Sequence, residues 1–168
     1  MDIALKNDTN DEVSALYSIV ASSMITREGE PSADMAAVTG LALGSKRTQL
    51  LRTAPKEFPS RNESVGIIWA GSTNKYFSTI LKPSSSDLIA SMNAQGMLTN
   101  EKAEQGDFMV TVQTNKFRIP PHETVNHSYI YFAGPKKEQI LEQYETLDTL
   151  LSYGWFASIS KVLLTFLN

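Results

Sequence analysis

The chain of 168 residues contains no cysteine. That excludes disulfides, thiolate chemistry and cysteine-ligated zinc. It fits a bacterial envelope protein as well as a cytosolic one, so the compartment stays open. Histidine is nearly as scarce: His122 and His127 are the only imidazoles, and they do not stand at His-x-x-x-His spacing. No metal site is expected from them. Basic residues number 15 against 18 acidic ones, for a net charge of −3. The basic stripe of a nucleic-acid binder is missing, and no nucleic-acid partner is expected. No stretch has the ~18 consecutive apolar residues of a membrane-spanning helix. The opening MDIALKNDTNDE has no basic segment ahead of an apolar run, so it does not read as a signal peptide.

Motifs for catalysis are also lacking. There is no Gly-x-Ser-x-Gly elbow, and GSTNKY reads as a hairpin turn. GLALGSKRT resembles a phosphate loop, but it is one residue short and places Arg47 where Ser or Thr must hold magnesium. No carboxylate pair sits in an apolar context that would raise one pKa. His122 lies in a Pro-Pro loop, and His127 reads as a satisfied interior or edge residue of a strand. No catalytic residue, cofactor or metal is assigned, and the chain is read as a non-enzyme.

What is present is ordinary globular composition, 42% hydrophobic and 20% charged, in a length that suits one domain with a real core. Most of it reads as strand and turn. IALKNDTNDEVSALYSIVAS has an apolar start, a polar turn over Asn7–Glu12, and then Val13, Ala15, Tyr17 and Ile19 at period two, a strand–turn–strand pattern. Lys46–Arg52 is a short strand, and TAPKEFPSRNES is a proline-punctuated loop. VGIIWAG and KYFSTILKP form a hairpin across Ser72–Asn74. DLIASMN and DFMVTVQT are two further strands. TVNHSYIYFAG carries apolar or aromatic groups on both faces, as a central strand buried on both sides would. SADMAAVTGLALG reads as loop and short strand. Pro135 is then placed at a first helical position, with helix formers through Lys136–Tyr144.

The last segment has the clearest periodicity. At 100° per residue, Trp155, Phe156, Ile159, Val162, Leu163, Phe166 and Leu167 fall in an arc of roughly 140°, with Leu164 the large exception on the other side. As a helix, 154–168 is about 22 Å long, too short to cross a hydrocarbon core of ~30 Å. It suits the plane of a bilayer interface, with Trp155 near the headgroups. Seven large side chains leaving water give a gross term on the order of 10 kcal/mol. A helix that packs on a sandwich and completes its core satisfies the same pattern.

Four stretches, spread over most of the chain and in the right order, resemble one family. YFAGPKKEQILEQY, then LDTLLSYGWFASISKVLLTFLN, resemble the YidC branch of the YidC/Oxa/Alb membrane protein insertases. There a strand runs into Gly-Pro-Lys, followed by a helix, Tyr-Gly-Trp, an amphipathic interfacial helix and the first transmembrane helix of the conserved core. The corresponding positions here are Tyr131–Lys136, Lys137–Tyr144, Tyr153–Trp155 and Phe156–Asn168. VGIIWAGSTNKYFSTILKP resembles the family's Trp-containing strand, with Trp69, Lys75, Tyr76, Phe77 and Pro83. IALKNDTNDEV fits its strand–Asn–turn–strand opening less specifically. The typical periplasmic domain of the family is longer, and its membrane core is not in this sequence, so the chain is expected to be an excised domain, or the C-terminal part of that domain.

The resemblance implies a mainly β fold, an antiparallel β-supersandwich of the galactose-mutarotase kind with C-terminal α-helices. The expected division is a sandwich over 1–134, a helix and linker packed on it over 135–153, and an amphipathic interfacial helix over 154–168 leading to a transmembrane core. The implied role is a non-catalytic domain on the periplasmic side of the bacterial inner membrane, assisting insertion and folding of membrane proteins. Implied partners are the Sec translocon and its auxiliary subunits, nascent membrane proteins, and the bilayer surface through the C-terminal helix. Lys136, Lys137 and Lys161 would then lie near lipid phosphates, or simply form a solvated face. No mutarotase carboxylate–histidine pair can be mapped, so the fold is carried over and the activity is not. Two alternatives stay open: a carbohydrate-binding or mutarotase-like sandwich, and a self-contained adhesin or assembly module whose last helix is core.

Overall fold

The computed structural model describes residues 1–23, 37–43, 48–53, 60–63, 66–74, 76–98 and 106–151. Among the described residues twelve strands run in chain order: β1 Asp2–Lys6, β2 Val13–Ala15, β3 Ser18–Ser23, β4 Ala37–Leu43, β5 Thr48–Thr53, β6 Ser60–Glu63, β7 Ile67–Thr73, β8 Phe77–Pro83, β9 Ile89–Leu98, β10 Gly106–Thr114, β11 Phe117–Ile119 and β12 Thr124–Pro135. They form a six-stranded sheet ordered β1-β12-β8-β7-β4-β5, a four-stranded sheet ordered β3-β10-β9-β6, and a small ribbon of β11 and β2.

The two large sheets share one core, as a β-sandwich requires. The six-stranded sheet contributes Ile67, Ala70, Leu81 and Tyr129; the other contributes Ala21, Ile89, Met92, Ala94, Val110 and Val112. On β9 and β10 the pattern is simple alternation: Met92, Ala94, Val110 and Val112 are buried, while Asn93, Gln95 and Gln113 are exposed. β7 is different, since all seven residues are buried. Its pairing with β4 skips from Leu41↔Trp69 to Ala42↔Ile67, which leaves Ile68 as an extra residue. This bulge reverses the phase, so Ile67 and Ala70, three apart, both reach the core. Between the sheets, buried Ser22 and Ser72 hydrogen-bond through their hydroxyls, which satisfies two polar groups in an apolar layer.

Asn7 ties the first turn to a distant loop. Its side-chain amide donates to the carbonyls of Asp11 (2.8 Å), Ile119 (2.9 Å) and Pro120 (3.1 Å). Its Oδ1 accepts from Thr9 N–H and Oγ1 at 3.0 and 2.7 Å. Its own N–H donates to Glu123 O. Asn74 does similar work at the β7–β8 turn, where its Oδ1 accepts from the N–H groups of Tyr76 and Phe77.

Several local expectations are corrected. The run from Val13 to Ile19 is two strands, broken at Leu16–Tyr17: β2 pairs with β11 and β3 with β10, while β1 pairs with β12. The proline-rich loop contains β6, which pairs with β9. β12 is not buried on both sides throughout, for Ile130 and Tyr131 are exposed. Among the described residues, β1 accompanies β12 only as far as Tyr129. The hairpin of β7 and β8 stands as expected, as do β5, β9 and β10.

The chain divides into Met1–Gly134 and Pro135–Asn168. Pro135 ends β12 and does not open a helix; Lys137 is extended, and α1 is the single turn Glu138–Leu141. Thr146, at φ 71°, then turns the chain into a 3-10 turn at Leu147–Leu150. Leu141, Leu147 and Leu150 are buried. The segment 152–168 lies outside the described residues.

Candidate functional site

Three stretches meet at one end of the sandwich: the turn after β8, the β10–β11 connection, and the middle of β12. Ser84 N–H donates to Ser128 O at 2.9 Å, Leu88 N–H to Ser85 O, and Asn115 N–H to Leu88 O at 2.8 Å. The Asn115 amide also bonds Asp87 O, and Ser85 Oγ bonds the Asp87 carboxylate. This last bond holds the Asp87 carboxyl below its ordinary range. Between these stretches lies a cleft of about 510 Å³, whose walls include Asp87, Lys116, Phe117, Asn126 and His127.

Behind His127 stands a hydrogen-bonded chain. Tyr17 is fixed by two bonds to Thr114, one from its own N–H to Oγ1 and one from Thr114 N–H to its carbonyl. Its hydroxyl lies 2.7 Å from His127 Nδ1 and 2.6 Å from the Tyr129 hydroxyl. Phe117 meets both rings edge-on, with centroids 5.9 Å from Tyr17 and 4.7 Å from His127. The proton positions follow from satisfying every donor. Tyr129 is buried and its hydroxyl has Tyr17 as hydrogen-bond partner, so it donates there. Tyr17 then donates to Nδ1, and the His127 proton resides on Nε2.

Burial pushes His127 below its ordinary 6.5, so it is neutral at pH 7. Burial also raises Tyr17 and, with the bond donated to Tyr17, lifts Tyr129 far above the usual tyrosine range. A histidine with a lowered folded pKa binds fewer protons than the unfolded chain just below pH 6.5. Its contribution is therefore complete above the unfolded pKa and is lost as the pH falls toward the folded one. We expect the urea midpoint to fall between about pH 7 and pH 5, and the His127→Gln chain to lose part of that dependence. Equal slopes in both chains would show that His127 does not titrate differently on folding.

His127 thus occupies a β-strand as expected, but it lines a cleft as well. His122 is exposed in its loop at φ 62°, with Nε2 3.1 Å from Asn10 Oδ1, and takes no part. The apolar set Trp155, Phe156, Ile159, Val162, Leu163, Phe166 and Leu167 lies outside the described residues, as does Lys161. Lys137 is exposed and Lys136 half-buried. Tyr17, Tyr129, Asp87 and Phe117 escaped sequence reasoning, because they come from four separated segments with no local spacing to mark them. No group of three or more His, Asp or Glu suited to a metal exists among the described residues.

Comparison with known proteins places the chain in a family. Relatives include the membrane protein insertase YidC of Rickettsia prowazekii (strain Madrid E), 31% identical over 99 residues, and that of Rickettsia akari (strain Hartford), 32% identical over the same length. Each alignment covers 55% of this chain and 17% of the insertase. The YidC of Geobacter sulfurreducens is 29% identical over 98 residues, 58% of this chain and 17% of its own. The chain thus spans a small part of the length of these relatives. The family model for the YidC periplasmic domain matches residues 1–166, nearly the whole sequence. Together with the antiparallel sandwich, this match makes the chain a member of the YidC periplasmic domain family.

Proposed function

We propose that the chain serves as a non-catalytic domain on the periplasmic side of a bacterial inner-membrane protein insertase, assisting insertion and folding of membrane proteins. The observation that carries this reading is the family match over 1–166, which takes in the apolar terminal segment together with the sandwich. In this role the sandwich meets nascent membrane proteins and docks components of the Sec translocon. The segment 154–168 lies along the bilayer surface and sets the sandwich against the membrane core. No helix among the described residues is long and apolar enough to cross a membrane.

The interfacial role has a direct test. Trp155→Ala combined with Phe156→Ala removes the two aromatic groups at the start of the apolar face. Partitioning onto anionic lipid vesicles is expected to weaken by about tenfold or more, with far-UV circular dichroism of the sheets unchanged. Equal partitioning of parent and variant would remove the interfacial helix from the proposal. Docking is tested in the full-length insertase: deletion of 1–134 is expected to reduce co-purification of translocon subunits, and unchanged recovery would assign docking elsewhere.

A further inference from the structure

We propose that the cleft beside His127 binds a neutral saccharide of one or two rings, a function that goes beyond insertion. Its volume of about 510 Å³ falls in the range of roughly 300–1,000 Å³ typical of small-molecule sites. The three wall segments are already bonded to one another through Ser84–Ser128, Asn115–Leu88 and Asn115–Asp87, so little ordering remains to be done on binding.

The chemistry of the lining selects the ligand class. Lys116 and Asn126 are exposed, and among the described residues their side chains make no hydrogen bond. His127 presents Nε2–H, its tautomer fixed from behind by the Tyr129–Tyr17 chain. Asp87 supplies an ionised carboxylate. The cleft therefore mixes donors with acceptors, and its one cation and one anion balance beside a neutral imidazole. A saccharide hydroxyl both donates and accepts, so neighbouring hydroxyls can engage such a mixture. An apolar peptide segment would leave these groups unpaired, at a cost for each. The Phe117 ring, locked edge-on against Tyr17 and His127, adds one apolar surface of the kind that stacks on the C–H face of a sugar ring.

The test is an amide NMR titration of the 168-residue chain with two neutral disaccharides, maltose and N,N′-diacetylchitobiose, and with a Ser/Asn-rich decapeptide. At least one disaccharide is expected to give saturable shifts centred on Lys116, Phe117, Asn126 and His127. Asn126→Ala should weaken that binding about tenfold without moving the thermal midpoint, because its side chain bonds nothing else described. His127→Gln should weaken it similarly. Absence of saturable shifts with both sugars, equal affinity in parent and Asn126→Ala, or preferential binding of the peptide would each overturn the assignment. None of these readouts depends on vesicle partitioning by 154–168, so the saccharide site and the insertase role fail separately.

Discussion

Replacing Gly71 by alanine is expected to cost the domain about 3 kcal/mol or more. A Cβ at this position would stand 1.9 Å from Thr79 O and 2.9 Å from Ile80 Cα. Both atoms belong to the backbone of β8, the partner with which Gly71 is in register opposite Ile80. The clash cannot be relieved by rotating a side chain. β7 and β8 must separate, yet both lie inside the six-stranded sheet, where Ala70 and Leu81 build the core. At a urea slope of about 2 kcal/mol per M, the midpoint should fall by about 1.5 M. Gly40→Ala provides the contrast: its nearest neighbour would be Met92 Sδ at 3.2 Å, an atom near the end of a flexible side chain, with Trp69 O at 3.3 Å. It should cost about 1 kcal/mol. If the two variants melt alike, close strand approach at Gly71 does not govern stability.

Asn7→Ala is expected to lose about 2–4 kcal/mol. The substitution removes one amide that serves three carbonyls and one oxygen that holds Thr9. Asn7 is buried, so the carbonyls of Ile119 and Pro120 do not simply exchange the amide for water. Asn7→Asp tests the donor role separately. It keeps the shape and the acceptor for Thr9, but points a carboxylate at three carbonyl oxygens, and should be at least as damaging at neutral pH. If the Asn7→Asp chain proved as stable as the parent, the Thr9 contacts alone would define the turn. Amide exchange at Thr9 should accelerate in the alanine variant if the loop opens locally.

The elements written in local apolar runs were legible: the β7–β8 hairpin follows from VGIIWAG and KYFSTILKP, and β9 and β10 from DLIASMN and DFMVTVQT. Pairing partners were less so. Nothing near Val13 or Phe117 signals that two three-residue strands form a ribbon across about a hundred residues of sequence, because such pairing is decided by tertiary packing. Ile68 is a bulge residue only in relation to β4. The helix read over Lys136–Tyr144 shrinks to Glu138–Leu141, since propensity alone does not hold a short helix. The cleft was invisible for the same reason as the ribbon. His127 was recognised, but its partner Tyr17 counted only as one tooth of an alternating strand, and Asp87 as the first residue of the strand DLIASMN. Family resemblance reached further than site reasoning, because Gly-Pro-Lys, Tyr-Gly-Trp and Lys-Tyr-Phe are local words.

The pairing of β1 with β12 sets a timetable for this protein. Asp2 lies opposite Ser128, and the Met1 ammonium bonds Tyr129 O. At roughly 5–20 residues per second, a ribosome needs on the order of ten seconds to supply the partner of the first strand. During that interval β1 lacks its partner β12, and the Asn7 turn lacks the carbonyls of Ile119 and Pro120. The final zipper therefore closes late, and a chaperone that shields β1 and the Asn7 turn should speed maturation more than one that guards the hairpins in between.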